Sequence, residues 1–78
     1  MKVEVITPDK TLFDGELNLV AVPGIDGSFE VMNFHAPLIS ILVAGKVKLV
    51  DHRGHEEYLD IRGGVIEVND NAVKILAE

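Results

Sequence analysis

The sequence predicts an all-β domain, a β-sandwich or flattened barrel with essentially no helix. Three observations carry the prediction. Short segments alternate apolar and polar residues with a period of two, and turn-forming residues separate them at spacings of about ten residues. No stretch of helical length places apolar side chains at i, i+3, i+4 and i+7, because Gly or Pro interrupts most windows long enough to try. Strands this short and numerous bury their apolar faces by packing two sheets about 10 Å apart around one core.

The elements follow in order. Lys2-Val3-Glu4-Val5-Ile6 alternates, Pro8-Asp9-Lys10 reads as a turn, and the segment from Leu17 to Val22 resumes the alternation. Pro23-Gly24 and Asp26-Gly27 are two turn signals back to back, and Ser28-Phe29-Glu30-Val31 after them is a strand. Pro37 fixes its own φ, lacks an amide hydrogen and pushes Ala36 into extended geometry, so His35-Ala36-Pro37 is a stiff corner that cannot continue a sheet ladder. Four further alternating segments begin at Lys46, Tyr58, Val65 and Ala72. They are joined by the loop around Gly54, by Gly63-Gly64 and by Asn69-Asp70-Asn71, all tolerant of tight or left-handed backbone. The pattern is an antiparallel meander forming one domain, residues 1–78, without linker, repeat or low-complexity segment.

Composition narrows the partners. Thirteen acidic against seven basic side chains give a formal charge of -6, which opposes phosphate backbones and anionic membrane surfaces. Nucleic acid is excluded as a partner on that ground. The longest nearly apolar run, Pro37 to Ala44, is far shorter than the roughly 20 residues a membrane helix needs, so no direct membrane insertion is expected. The N-terminus shows neither a signal core nor an Arg/Ser-rich presequence, so a cytoplasmic location is the default expectation. With no cysteine, disulfides and thiolate metal sites are ruled out.

Catalytic readings are weak. Gly24-Ile25-Asp26-Gly27 lacks the following helix and the Lys or Arg of a phosphate-binding loop. His52, His55, Glu56 and Glu57 have the right ligand types for zinc, but a glycine-centred loop does not hold two His at i and i+3 in convergence. Ser28 and Ser40 sit in no nucleophile elbow, and His35, a general base by residue type, needs a pocket that a domain this small has little room for. No cofactor or metal is implied. A lipoyl- or biotinyl-type carrier domain modified at Lys10 is the alternative reading, since Pro8-Asp9-Lys10-Thr11 looks like a hairpin tip; a carrier lysine, however, sits near the middle of its domain. A contact surface remains. Phe29, Met32 and Phe34 are large apolar groups beside the proline corner; Phe34 divides evenly between core and surface, and Phe13 suits the core.

The residues taken together resemble the N-terminal domain of the epsilon subunit of F-type ATP synthases. The resemblance runs from Thr7-Pro8-Asp9-Lys10-Thr11-Leu12-Phe13-Asp14-Gly15-Glu16 through Val22-Pro23-Gly24 with Gly27 to His35-Ala36-Pro37-Leu38 and Gly45. It continues with His55-Glu56-Glu57-Tyr58, Gly63-Gly64-Val65-Ile66-Glu67-Val68 and Val73-Lys74-Ile75-Leu76-Ala77. It implies a flattened ten-stranded antiparallel β-sandwich in a non-catalytic central-stalk subunit of a proton- or sodium-translocating enzyme. That subunit couples the gamma subunit to the membrane c-ring, in the bacterial cytoplasm and peripheral to the inner face of the energy-transducing membrane. Carried over residue by residue, the gamma contact is Thr7, His35, Ala36, Pro37 and Ser40, and the c-ring contact is Gly27, Ser28, Phe29 and Glu30. Family members commonly have Glu-Leu-Gly where this chain has Ser28-Phe29-Glu30, so Glu30, two residues on and on the same strand face, is expected to supply the missing acid. Many members continue into a two-helix domain that inhibits ATP hydrolysis; for residues 1–78 the expectation is coupling and assembly without helix-mediated inhibition or ATP binding.

Overall fold

A computed structural model describes residues Met1–Glu78 as seven strands and no helix. They are β1 (Lys2–Ile6), β2 (Thr11–Glu16), β3 (Leu19–Gly24), β4 (Gly27–Met32), β5 (Leu38–Val50), β6 (Glu56–Asn69) and β7 (Ala72–Ala77). Hydrogen bonding links all of them in the order β2-β1-β7-β6-β5-β3-β4. The sheet folds back on itself. Residues from both ends of that order, among them Val3 and Val5 of β1 and Val20, Val22 and Val31 of β3 and β4, belong to one cluster of 16 buried side chains. The shortest dimension, 19 Å, accommodates two layers about 10 Å apart.

The expected ten strands are seven, and the long pair β5 and β6 shows why. Gly63-Gly64, expected to end a strand, lies inside the 14-residue β6, whose ladder with β5 keeps one register from Leu38↔Val68 to Val50↔Glu56. The glycines bend the ladder instead of breaking it. Inward positions on β6 are Leu59, Ile61 and Gly63 before the bend and Ile66 and Val68 after it; on β5 they switch from Leu38 and Leu42 to Val47 and Leu49. Each strand therefore serves one layer with one half and the other layer with its other half, the corner geometry of folded sheets. The register of β3 against β5 shifts between Ala21 and Gly24 at the same level.

The meander is not wholly antiparallel either. β1 pairs antiparallel with β2 but parallel with β7, in register from Lys2↔Ala72 to Ile6↔Leu76. Parallel neighbours need a long connection, and here nearly the whole chain supplies it. Leu17 and Asn18, expected at the start of a strand, instead link the layers, through hydrogen bonds from Leu17 N–H to Met1 O and from Asn18 N–H to Val50 O. Other expectations hold. Asp70 and Asn71 form a two-residue turn with both φ values positive, 51 and 58, the hairpin geometry that favours Asn and Asp. No polar side chain is buried, so apolar packing holds the core. Phe13 and Phe29 pack half-buried against it, while Phe34 and Met32 face water.

Candidate interaction surface

In the layer β2-β1-β7-β6-β5, alternate residues of β1, β7, β6 and β5 fill the core and the others face out. An outward face on a solvated sheet is ordinarily polar. Part of this one is not. Ile39, Ile41 and Val43 of β5 are 73%, 57% and 41% exposed, and Leu76 of β7 is 44% exposed. Register aligns them across the sheet: Ile41 lies opposite Val65, Val65 opposite Leu76, and Leu76 opposite Ile6. The result is an apolar row spanning three strand spacings, about 14 Å. The row beside it reads Ile39, Glu67, Lys74, Glu4 and Asp14, one apolar residue followed by charges of mixed sign. Ile25, 57% exposed, joins at the far edge, where its N–H donates to Ile41 O at 3.0 Å.

The residues named from sequence lie around this face. Thr7 follows β1 at one end of the row, and its hydroxyl oxygen accepts from the N–H groups of Asp9 and Lys10, which fixes the β1–β2 turn. His35, Ala36 and Pro37 lie at the opposite end of the strands, ahead of Leu38 and beside the Asp70-Asn71 turn, with which they line a shallow groove. His35 Nδ1 lies 2.7 Å from Ala36 O; a carbonyl can only accept, so Nδ1 is the donor. No carboxylate hydrogen-bonds the ring to orient it as a base. Ser40 stands apart. Alternation turns it to the opposite side from Ile39 and Ile41, along the stretch of β5 that pairs only with β6, where its hydroxyl donates to Ile41 O at 3.4 Å.

The second set occupies the β3–β4 hairpin, whose tip is Ile25-Asp26. Gly27 has φ 123, Ser28 and Glu30 are both exposed, and Phe29 between them turns toward the core. Ser28 and Glu30 thus share a face. Because Ile25 is bonded to Ile41, the hairpin tip and the apolar row meet without a gap.

The other candidates come apart. In the loop of residues 51–55, the Asp51 carboxylate accepts from the N–H groups of His55 and Arg53, and the His55 bond, the larger cause, holds its pKa below the usual value. No group of three or more His, Cys, Asp or Glu converges as a metal site. On the adjoining face, Tyr58 O–H donates to Glu56 at 2.8 Å, which lowers the Glu56 pKa together with nearby Lys48 and raises that of Tyr58. Sequence reasoning missed Ile6, Ile39, Ile41, Val43, Val65 and Leu76. The available signal was the run Pro37 to Ala44, apolar at both odd and even positions, which leaves apolar side chains on both faces of one strand.

A small all-β domain with an apolar stripe and no pocket chemistry is in class a binding module. Comparison with known proteins gives the particular family. Residues 1–78 match the model for "ATP synthase, Delta/Epsilon chain, beta-sandwich domain". The chain is 42% identical over 77 residues to an ATP synthase epsilon chain of Chlorobium limicola, covering 99% of this chain and 88% of that one. It is 41% identical over 76 residues to the epsilon chain of Chlorobaculum tepidum, covering 97% and 86%. The chain belongs to the ATP synthase delta/epsilon family, whose members are non-catalytic subunits, and this displaces the carrier reading at Lys10. Among solved structures, it superposes with a TM-score of 0.90 at 21% identity on a chain of the Euglena gracilis mitochondrial ATP synthase, covering 96% of this chain and 48% of that one. For a chain of the Tetrahymena thermophila mitochondrial ATP synthase central stalk and c-ring the TM-score is 0.79 at 22% identity, covering 97% and 61%. The chain thus spans about half to three-fifths of those structural neighbours, and at such identity the likeness is one of fold.

Proposed function

We propose that this chain is a rotor subunit that couples the gamma subunit to the c-ring of a proton- or sodium-translocating F-type ATP synthase, at the cytoplasmic face of a bacterial energy-transducing membrane. The observation that carries the reading is the apolar row Ile41-Val65-Leu76-Ile6, on a face bounded by Thr7 at one end of the strands and by His35-Ala36-Pro37 at the opposite end. Gamma covers that face, with Ser40 reached along the unpaired edge of β5. The c-ring loop meets Gly27, Ser28, Phe29 and Glu30, with Glu30 supplying the acid. A rotor element carries torque by rigid contact, and a two-layer sheet whose layers share β5 and β6 is stiff without chemistry of its own.

Titrating the chain into purified gamma subunit tests this. Replacing Ile41 with Asp puts an uncompensated charge at the β5 end of the apolar row, between exposed Ile39 and Val43, and a hot-spot residue of this kind costs about 2 kcal/mol or more of binding. The expected result is at least thirtyfold weaker binding with an unchanged circular dichroism spectrum. Equal affinity for parent and variant refutes the assigned face. For the c-ring, Glu30→Gln should flatten the salt dependence of assembly; an exposed pair contributes only about 0 to 1 kcal/mol, so the slope is the readout.

A further inference from the structure

One residue at the corner before β5 is placed in a way that folding does not require. Phe34 is 82% exposed and is not among the side chains packed on the core, yet its φ is 63. Left-handed backbone suits Gly, Asn or Asp, and for a bulky side chain it is an outlier. The surrounding structure holds it there. Phe34 N–H donates to Asn71 Oδ1 at 2.7 Å, and His35 N–H donates to Met32 O at 3.1 Å. The preceding Asn33 accepts from the Met1 amino group at 2.6 Å and donates to Asn18 Oδ1 at 3.3 Å. The start of β1, the β2–β3 link and the β6–β7 turn therefore all brace residues 33–35 and hold an aromatic ring in water. Backbone strain over-determined by its surroundings is characteristic of functional positions.

We propose that Phe34 is an aromatic anchor that inserts into an apolar socket of the gamma subunit and helps set the affinity and register of that contact. The inference rests on the face assigned to gamma above and adds a residue to it. Charge selects the occupant. The face and corner carry Glu4, Asp14, Glu16, Glu67 and Asp70 against Lys2 and Lys74, on a chain of net charge -6. A second copy would oppose acid to acid, and an anionic lipid surface would be repelled in the same way. A protein surface with an apolar pocket rimmed by Lys or Arg satisfies both the ring and the acids. Rigid aromatic groups that enter such pockets dominate binding energy, because little side-chain freedom is left to lose.

Phe34→Gly separates anchoring from folding because it acts with opposite sign on the two. Glycine accepts the left-handed backbone, so the thermal midpoint of the full chain should rise or stay level. Affinity for purified gamma, measured by calorimetry at fixed salt, should fall at least tenfold, and Phe34→Leu should recover part of it. If Phe34→Gly binds gamma as tightly as the parent while Ile41→Asp does not bind, the anchor is wrong and the assigned face stands. A midpoint that falls together with the affinity would make Phe34 a structural residue and overturn the proposal. If the parent itself does not bind gamma, the face assignment fails and the anchor with it. Sedimentation of the isolated chain completes the test: a stable dimer dissociated by Phe34→Gly would assign the ring to self-association instead.

Discussion

Replacing Gly64 with Ala should nearly unfold the domain, although it adds one methyl group. Gly64 has φ 147, outside the range L side chains adopt readily, and a β-carbon there would overlap the Leu76 carbonyl and stand 3.1 Å from Ala77 Cα. Both obstacles are backbone, so no rotamer change relieves the clash. Forced strain in this region costs about 1–3 kcal/mol, and overpacking costs a further ~1–3 kcal/mol. The clash falls on the Gly64↔Ala77 pairing, next to the bonds from Glu78 N–H to Gly63 O and from Arg62 N–H to Glu78 O. A combined loss of about 2–6 kcal/mol compares with a total stability of roughly 4–12 kcal/mol for a domain of this length. Urea titration followed by circular dichroism reads it directly: the midpoint should collapse, or the variant should be unfolded in water. Gly54→Ala is the control, because that glycine, at φ 81 in an open loop, has nothing within 4 Å and so loses only the conformational preference, about 1–2 kcal/mol. A Gly64→Ala domain within about 1 kcal/mol of the parent would refute the account of the bend.

Other outcomes follow from the same geometry. Ile75→Ala removes a side chain with no solvent exposure from the centre of the core and should cost about 2–5 kcal/mol in urea titration; a smaller loss would mean that the core closes over the cavity. Tyr58→Phe removes the hydrogen bond that most lowers the Glu56 pKa, so the Glu56 carboxyl should titrate at higher pH in carbon-detected NMR, and an unmoved midpoint would refute that cause. The sign for stability follows from the lowered folded value. The contribution of Glu56 is present above the pKa of the unfolded carboxyl and is lost as pH falls through the folded one, so the variant should differ from the parent at neutral pH and converge with it in acid.

Local chemistry was legible in the sequence, and connections between distant segments were not. Alternation located the core residues of β1, β3 and β7, and Asn69-Asp70-Asn71 announced its hairpin. Gly63-Gly64 misled because a glycine pair serves equally as a turn between strands or a bend within one, and only the partner strand decides. The parallel β1–β7 pairing joins residues some seventy positions apart, and neither strand carries a mark of it. At the surface, motif resemblance supplied the ends of the candidate face, Thr7 and His35-Ala36-Pro37, but not its middle. Ile39 and Ile41 were hidden in a run noted for being too short to span a membrane, and Leu76 looked like one more alternating strand residue. Phe34, which residue type left divided between core and surface, is held at the surface by a left-handed corner that composition does not encode.

The place of β7 between β1 and β6 also orders the events of synthesis. The β1–β2 hairpin joins the rest of the sheet only through β7, a strand made after every other one. In the order of synthesis β1 and β2 precede β3 to β6, and the edge of β1 that pairs with β7 has no partner until that strand is made. The layer that presents the apolar row is completed only when Ala72–Ala77 inserts as the middle strand of three. Until then Ile6 and Leu76 share no surface, so a half-made chain lacks the finished apolar row.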